Sequence, residues 1–182
     1  MQTVKIVVTG PFSAGKTQFI QTISEIDVVA TERKISRSEE RIKDQTTVAM
    51  DFGRITIDEG LVLYLFGTPG QRRFDFMWEI LAEGMLGFVV LLDSVRPETF
   101  REARSILDTF RSYAPVPYIV AANKQDLSDA WSPEDLRIAL HIPDDVKVVP
   151  CMALNRKSVR DVVLELLYSV LAMLDQEDST GR

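Results

Sequence analysis

Cysteine and histidine are almost absent: the 182 residues contain one of each, Cys151 and His141. A single thiol forms no intrachain disulfide and fits a reducing compartment. Without a Cys/His cluster there is no structural zinc site, and His141, just before Ile142-Pro143, reads as a surface or helix-end residue. No apolar run reaches transmembrane length; the longest, Leu86 to Leu92, is strand-sized. Basic residues are not in excess either. The formal charge of −6 argues against broad binding to nucleic acid or to anionic membranes. The first residues run straight into a β-rich stretch rather than a signal peptide, and Asp175 to Arg182 is polar and offers no cysteine for prenylation. These absences predict a cytoplasmic protein with no nucleic-acid partner and no lipid anchor.

What is present begins with Gly10-Pro11-Phe12-Ser13-Ala14-Gly15-Lys16-Thr17, which fits the phosphate-loop pattern G-x-x-x-x-G-K-[ST]. A β-branched run, Val4 to Val8, leads into it, and a helical stretch starting near Gln18 leads out. Polyphosphate is a concentrated anion. Glycines let backbone N–H groups converge on it without a Cβ in the way, and the following helix presents its positive end. Lys16 is placed to reach the terminal phosphates, and the Thr17 hydroxyl to hold Mg²⁺.

Strand-like and helix-like segments then alternate, as in a mostly parallel sheet covered on both faces. Thr31 to Gln45 reads as a long charged loop. Val48 to Ile57 and Leu61 to Phe66, joined by Asp58-Glu59-Gly60, read as a hairpin that supplies one antiparallel strand. Leu86 to Leu92 is apolar throughout, as a central strand buried on both faces would be. Pro97 to Tyr113 is amphipathic, and further strand and helix signals fall at Pro117 to Ala122, Pro133 to Leu140, Val146 to Val149 and Val159 to Leu174. The expected fold is a three-layer αβα domain of the P-loop NTPase type with a six-stranded sheet. It occupies residues 1–175, with a polar tail at 176–182.

Asn123-Lys124-Gln125-Asp126 follows the fifth strand, at the sheet edge where ligands bind in open α/β folds. A carboxylate there accepts two hydrogen bonds from the ring N–H and exocyclic amine of guanine, a donor pair that adenine lacks. With the P-loop upstream, these motifs make the chain resemble the Ras-like small GTPases along nearly its whole length. The resemblance implies GTP/GDP and Mg²⁺ as cofactors. It implies that Gly10 to Gln18 and Gly70 hold phosphates, that Asn123, Lys124 and Asp126 with the loop Met152, Ala153 and Leu154 hold the base, and that the Ala153 N–H meets guanine O6. Thr47 resembles the switch I threonine, a ligand of Mg²⁺ beside Thr17. Gln71, in Thr68-Pro69-Gly70-Gln71, resembles the switch II glutamine that orients the attacking water, with Lys16 stabilising charge.

Two positions depart from the ordinary pattern. Gly67 stands where an aspartate usually holds Mg²⁺ through water, and Asp51 is the nearest candidate to replace it. Phe12 stands where a small glycine is usual and would crowd an arginine supplied by another protein. Both features resemble the bacterial MglA-like, conservon-type branch. That likeness implies a slow GTPase acting as a signalling or polarity switch, a roadblock/LC7-domain partner that acts as a dimer and rearranges the switches, and an arginine in cis. Arg41 or Arg37 in the long loop is the candidate, with Arg72 and Arg73 beside Gln71 as rivals. A second reading, prompted by Gly67, is a guanine-nucleotide-dependent scaffold that hardly hydrolyses. The aromatic group Phe74, Phe76 and Trp78 reads equally as core or as a partner surface.

Overall fold

The computed structural model describes residues 2–28, 31–35, 46–70 and 74–180; at 31–35, 46–49, 177, 178 and 180 it describes the backbone alone. The elements in chain order are β1 (Gln2–Thr9), α1 (Lys16–Ile23), β2 (Thr31–Ile35), β3 (Thr46–Asp58), β4 (Leu61–Gly67), α2 (Phe76–Ala82), β5 (Gly87–Asp93), α3 (Phe100–Tyr113), β6 (Tyr118–Asn123), α4 (Pro133–Ala139), β7 (Val148–Pro150) and α5 (Arg156–Thr180). The sheet order is β2-β3-β4-β1-β5-β6-β7. Among the described residues only β3 runs against the other strands: β1, β4, β5, β6 and β7 pair in parallel, while β3 is antiparallel to both β4 and β2.

The architecture is the expected αβα sandwich, with one strand more than the six expected. The addition, β2, comes from the start of the stretch read as a loop. Its sequence Thr-Glu-Arg-Lys-Ile lacks an alternating apolar pattern, and it joins the sheet edge through main-chain pairing to β3. The polar residues 176–180 continue α5 rather than leaving it.

The sheet separates two cores. On one side α1 and α5 pack Phe19, Ile20, Val162 and Leu166 against Ile6, Leu65 and Leu91. On the other, Trp78, Leu107, Phe110 and Leu136 pack on Val7, Phe88 and Leu92. β5 is buried at every residue and contributes to both. This double burial explains its unbroken apolar run. Close approach of α1 to the sheet requires Gly53, since a Cβ there would lie 2.6 Å from Ile20 Cγ2.

Candidate nucleotide-binding site

β1 delivers the chain to the phosphate loop at its C-terminal end, and α1 starts at Lys16. Two glycines are demanded by geometry. Gly10 has φ 143° and a Cβ there would sit 2.2 Å from the Leu91 carbonyl oxygen; Gly15 has φ 101° and a Cβ would meet Asn123 Nδ2 at 2.6 Å. Ser13 also adopts a left-handed conformation, φ 63°, the kind of unusual backbone that collects at functional sites. Lys16 is buried, and its ammonium donates to the carbonyls of Gly10 and Pro11, both at 2.7 Å. Burial pushes its pKa down to about 8, against an opposing pull from the carboxylates of Asp51 and Glu102.

A cavity of about 430 Å³ opens over this loop, lined among others by Phe12, Lys16, Thr17, Asp51, Thr68 and Gly70. Thr17 Oγ1 donates to Asp51 Oδ2 at 2.6 Å. Asp51 lies on β3 directly opposite Gly67 of β4, and a Cβ on Gly67 would come within 3.2 Å of that same Oδ2. The Asp51 carboxylate thus lies across the strand pair, beside the position that lacks one. Thr17 hydroxyl and Asp51 carboxylate are hard oxygen donors, suited to Mg²⁺. Among the described residues no group of three or more His, Cys, Asp and Glu gathers around a metal position.

The segment that opens at Thr68 is anchored at its start. The Thr68 N–H donates to the Val8 carbonyl at 3.0 Å, Thr68 Oγ1 donates to Thr9 Oγ1 at 2.9 Å, and Trp78 Nε1 donates to the Pro69 carbonyl at 3.3 Å. Gly70 lies against the phosphate loop, where a Cβ would be 2.8 Å from Phe12 Cα and 3.0 Å from Lys16 Nζ. Phe12 itself is 60% exposed at the cavity rim. Phe74 and Trp78 are core residues and Phe76 is exposed, which settles two of the three aromatics as packing.

A second cavity of about 680 Å³ adjoins the first through Gly15 and Gln18, and is lined by Asn123, Lys124, Asp126, Leu127 and the loop Met152 to Asn155. Asn123 is buried and ties the two halves together. Its Nδ2 donates to the Ala14 carbonyl at 3.0 Å, and its Oδ1 accepts from the Ala153 N–H at 2.9 Å. The Ala153 N–H, expected to meet the base, is thus engaged by Asn123. Leu154, 80% exposed beside it, is the loop residue whose N–H carries no hydrogen bond among the described residues. Lys124 (φ 66°) pairs with the buried Asp93 at 2.6 Å, and Gln125 Nε2 donates to Ser94 Oγ and to the Trp131 carbonyl. These bonds hold the loop so that the exposed Asp126 carboxylate stands at the cavity wall.

Gln71, Arg41, Arg37, Arg72 and Arg73 lie outside the described residues. Thr47 sits in β3, paired with Lys34 of β2. Asp51 stands four residues further along the same strand, about 13 Å of extended chain. His141 is exposed just past α4, and Cys151 is buried, its thiol pushed up to about 12 by desolvation.

Residues 27–178 match the family model described as "Conserved hypothetical ATP binding protein". The chain belongs to that family. It is 33% identical over 126 residues to uncharacterized protein MJ1339 of Methanocaldococcus jannaschii, covering 69% of this chain and 73% of that one. It is 29% identical over 161 residues to mutual gliding-motility protein MglA of Myxococcus xanthus (80% and 81% covered), and 26% identical over 165 residues to human ADP-ribosylation factor-related protein 1 (86% and 79%). With the sheet order and the two-part cleft, these likenesses make this family member a nucleotide-binding protein of the Ras-like superfamily. No helix among the described residues is long and apolar enough to cross a membrane.

Proposed function

We propose that the chain is a GTP/GDP switch with slow hydrolysis of its own. The observation that carries the guanine reading is the Asp126 carboxylate, exposed at the wall of a cavity contiguous with the phosphate loop. A carboxylate at the base edge accepts from guanine's adjacent ring N–H and exocyclic amine, a donor pair that adenine lacks. The Leu154 N–H is the free donor for guanine O6, and Leu127 and Leu154 are the exposed apolar walls for the ring faces. The family's description names ATP; the base-edge chemistry of Asp126 favours GTP. Competition against labelled GDP tests this. GTP should displace it at concentrations at least a hundredfold below ATP, and equal potency would overturn the reading.

In the hydrolytic step Lys16 and the loop N–H groups stabilise charge that develops on the bridging and terminal phosphate oxygens. Thr17 and Asp51 are the residues that would hold Mg²⁺, which when bound neutralises charge on the β- and γ-phosphates. Gln71 orients the attacking water in this reading, and Gly70 offers its N–H to the γ-phosphate. For Thr47 to join the metal site, its pairing with β2 has to open. Phe12 at the rim supports an arginine supplied in cis, Arg41, over one inserted from another protein. A roadblock/LC7-type partner acting on a polarity or signalling switch completes the proposal. It is checked by single-turnover GTP hydrolysis with and without the roadblock-domain protein encoded nearest the gene. Acceleration that Arg41→Ala abolishes supports it; tight GTP binding with no acceleration overturns the partner. The scaffold alternative drew on Gly67, and the Asp51 carboxylate opposite that glycine weakens it.

A further inference from the structure

The outer face of α5 carries a pattern that neither core nor nucleotide site uses. Val159, Val162, Val163, Leu166 and Val170 point into the protein and are buried. On the opposite side, Leu164, Tyr168 and Leu171 are 37, 58 and 55% exposed. Their spacing of four and then three residues keeps them on one stripe of the helix. Extending the same register backwards gives Arg160; extending it forwards gives Asp175. The stripe therefore reads basic, apolar, acidic from one end to the other.

The order is also symmetric. About the midpoint between Leu167 and Tyr168, Leu164 and Leu171 lie equally far on either side, as do Arg160 and Asp175. A helix laid antiparallel on an identical helix with its two-fold axis at that midpoint puts each leucine on a leucine. It also puts each basic residue on an acidic one. A parallel pairing would set like charges together.

The charge order works against α5 standing alone. Bases near the N-terminus and acids near the C-terminus oppose the helix macrodipole, and α5 has no acid in its first turn and no base in its last. An antiparallel partner reverses that: each end meets the opposite charge and the opposite dipole. The described local partner of Arg160 is its neighbour Asp161 at 3.6 Å, both more than half in water or nearly so, a pairing easily exchanged.

We propose that this α5 face is the contact surface of a two-fold symmetric homodimer, with the helices antiparallel and Arg160 of each copy facing Asp175 of the other. A two-fold contact of this kind is isologous, so one self-complementary stripe suffices. A single helix face is at the small end of specific interfaces, so the dimer forms reversibly in the micromolar range. α5 packs on the side of the sheet shared with α1, and none of the stripe residues lines the phosphate cavity or the base cavity, so both copies keep them open. The proposal does not depend on which nucleotide is bound.

Sedimentation equilibrium of the full nucleotide-loaded chain, from low micromolar to a few hundred micromolar, tests it. The wild type should show a monomer–dimer equilibrium. Arg160→Asp and Asp175→Arg should each weaken it about tenfold or more, because each places like charges at both ends. An equimolar mixture of the two variants should recover association as a heterodimer, and the double variant should recover it as a homodimer. Leu171→Ser should weaken it without any charge change. Recovery on mixing requires folded chains, so it cannot arise from damage to the fold. A wild type that is monomeric throughout, association indifferent to Arg160→Asp, or mixing that restores nothing would each overturn the proposal.

Discussion

At the scale of single residues, Asp51 and Gly67 act as one unit. A Cβ at 67 would come within 2.9 Å of Ile20 Cδ1 and 3.0 Å of Asp51 Cβ, so a side chain there crowds the Asp51 carboxylate. Asp51→Ala should accelerate nucleotide release in Mg²⁺ by roughly ten- to a hundredfold, the usual range when a group orienting a metal is lost. In excess chelator it should change release little. Gly67→Asp alone should weaken folding by steric conflict, while Asp51→Gly with Gly67→Asp should regain part of the Mg²⁺ dependence. A release rate in Mg²⁺ unchanged by Asp51→Ala would show that the carboxylate has no part in holding the cation. A second residue-scale prediction concerns Thr68. Replacing it by valine leaves Thr9 Oγ1 buried without its partner, which should cost about 1–3 kcal/mol in denaturant unfolding.

At the scale of elements, the tightest fit is β3 against α1. Gly53→Ala would drive a methyl into Ile20 Cγ2 at 2.6 Å and Ser24 Cβ at 3.2 Å, so the strand or the helix has to move. An overpacked site of this kind should lose about 1–3 kcal/mol of stability and, because α1 carries Lys16 and Thr17, nucleotide affinity as well. Chemical unfolding and a GDP titration on the same variant read both; full stability would contradict the contact. Elements such as β5 and α3 were legible in the sequence because their burial imposes a period: continuous apolar residues for β5, helical spacing for Phe100, Ala103, Ile106, Leu107 and Phe110. β2 was not legible, since an edge strand held by main-chain bonds imposes no side-chain pattern. The phosphate loop and the Asn123 to Asp126 segment were legible because backbone convergence and base-edge chemistry fix residue types at fixed spacing. The engagement of the Ala153 N–H by Asn123 was not, because it depends on where a side chain from another strand comes to rest. Asp51 lies between the two cases. Its residue type could be guessed, but only the β3–β4 register sets it opposite Gly67.

At the scale of the whole molecule, Lys16 couples folding to the ligand. Its ammonium is buried in the loop, and its pKa falls from 10.5 to about 8 because desolvation outweighs the attraction of Asp51 and Glu102. Below pH 8 the lysine is charged in folded and unfolded chains alike, and the full burial penalty opposes folding. Between pH 8 and 10.5 the folded chain gives up its proton while the unfolded chain keeps it. The unfolded state then binds more protons, and stability rises with pH through that window. The shift corresponds to roughly 3 kcal/mol. Tyr113 and Tyr118 are raised by burial and work in the opposite sense near the upper end, so the lysine is isolated by difference. The unfolding free energy of nucleotide-free Lys16→Met minus that of wild type should be positive near pH 7 and shrink toward pH 10. Saturating GDP should remove the slope from the wild type, because phosphate favours the ammonium, and should stabilise the wild type in proportion to the logarithm of its concentration. Lys16→Met should gain little from GDP. A difference that stays flat from pH 7 to 10 would mean that Lys16 keeps an ordinary ammonium in the fold, and that the empty loop does not hold the molecule under this strain.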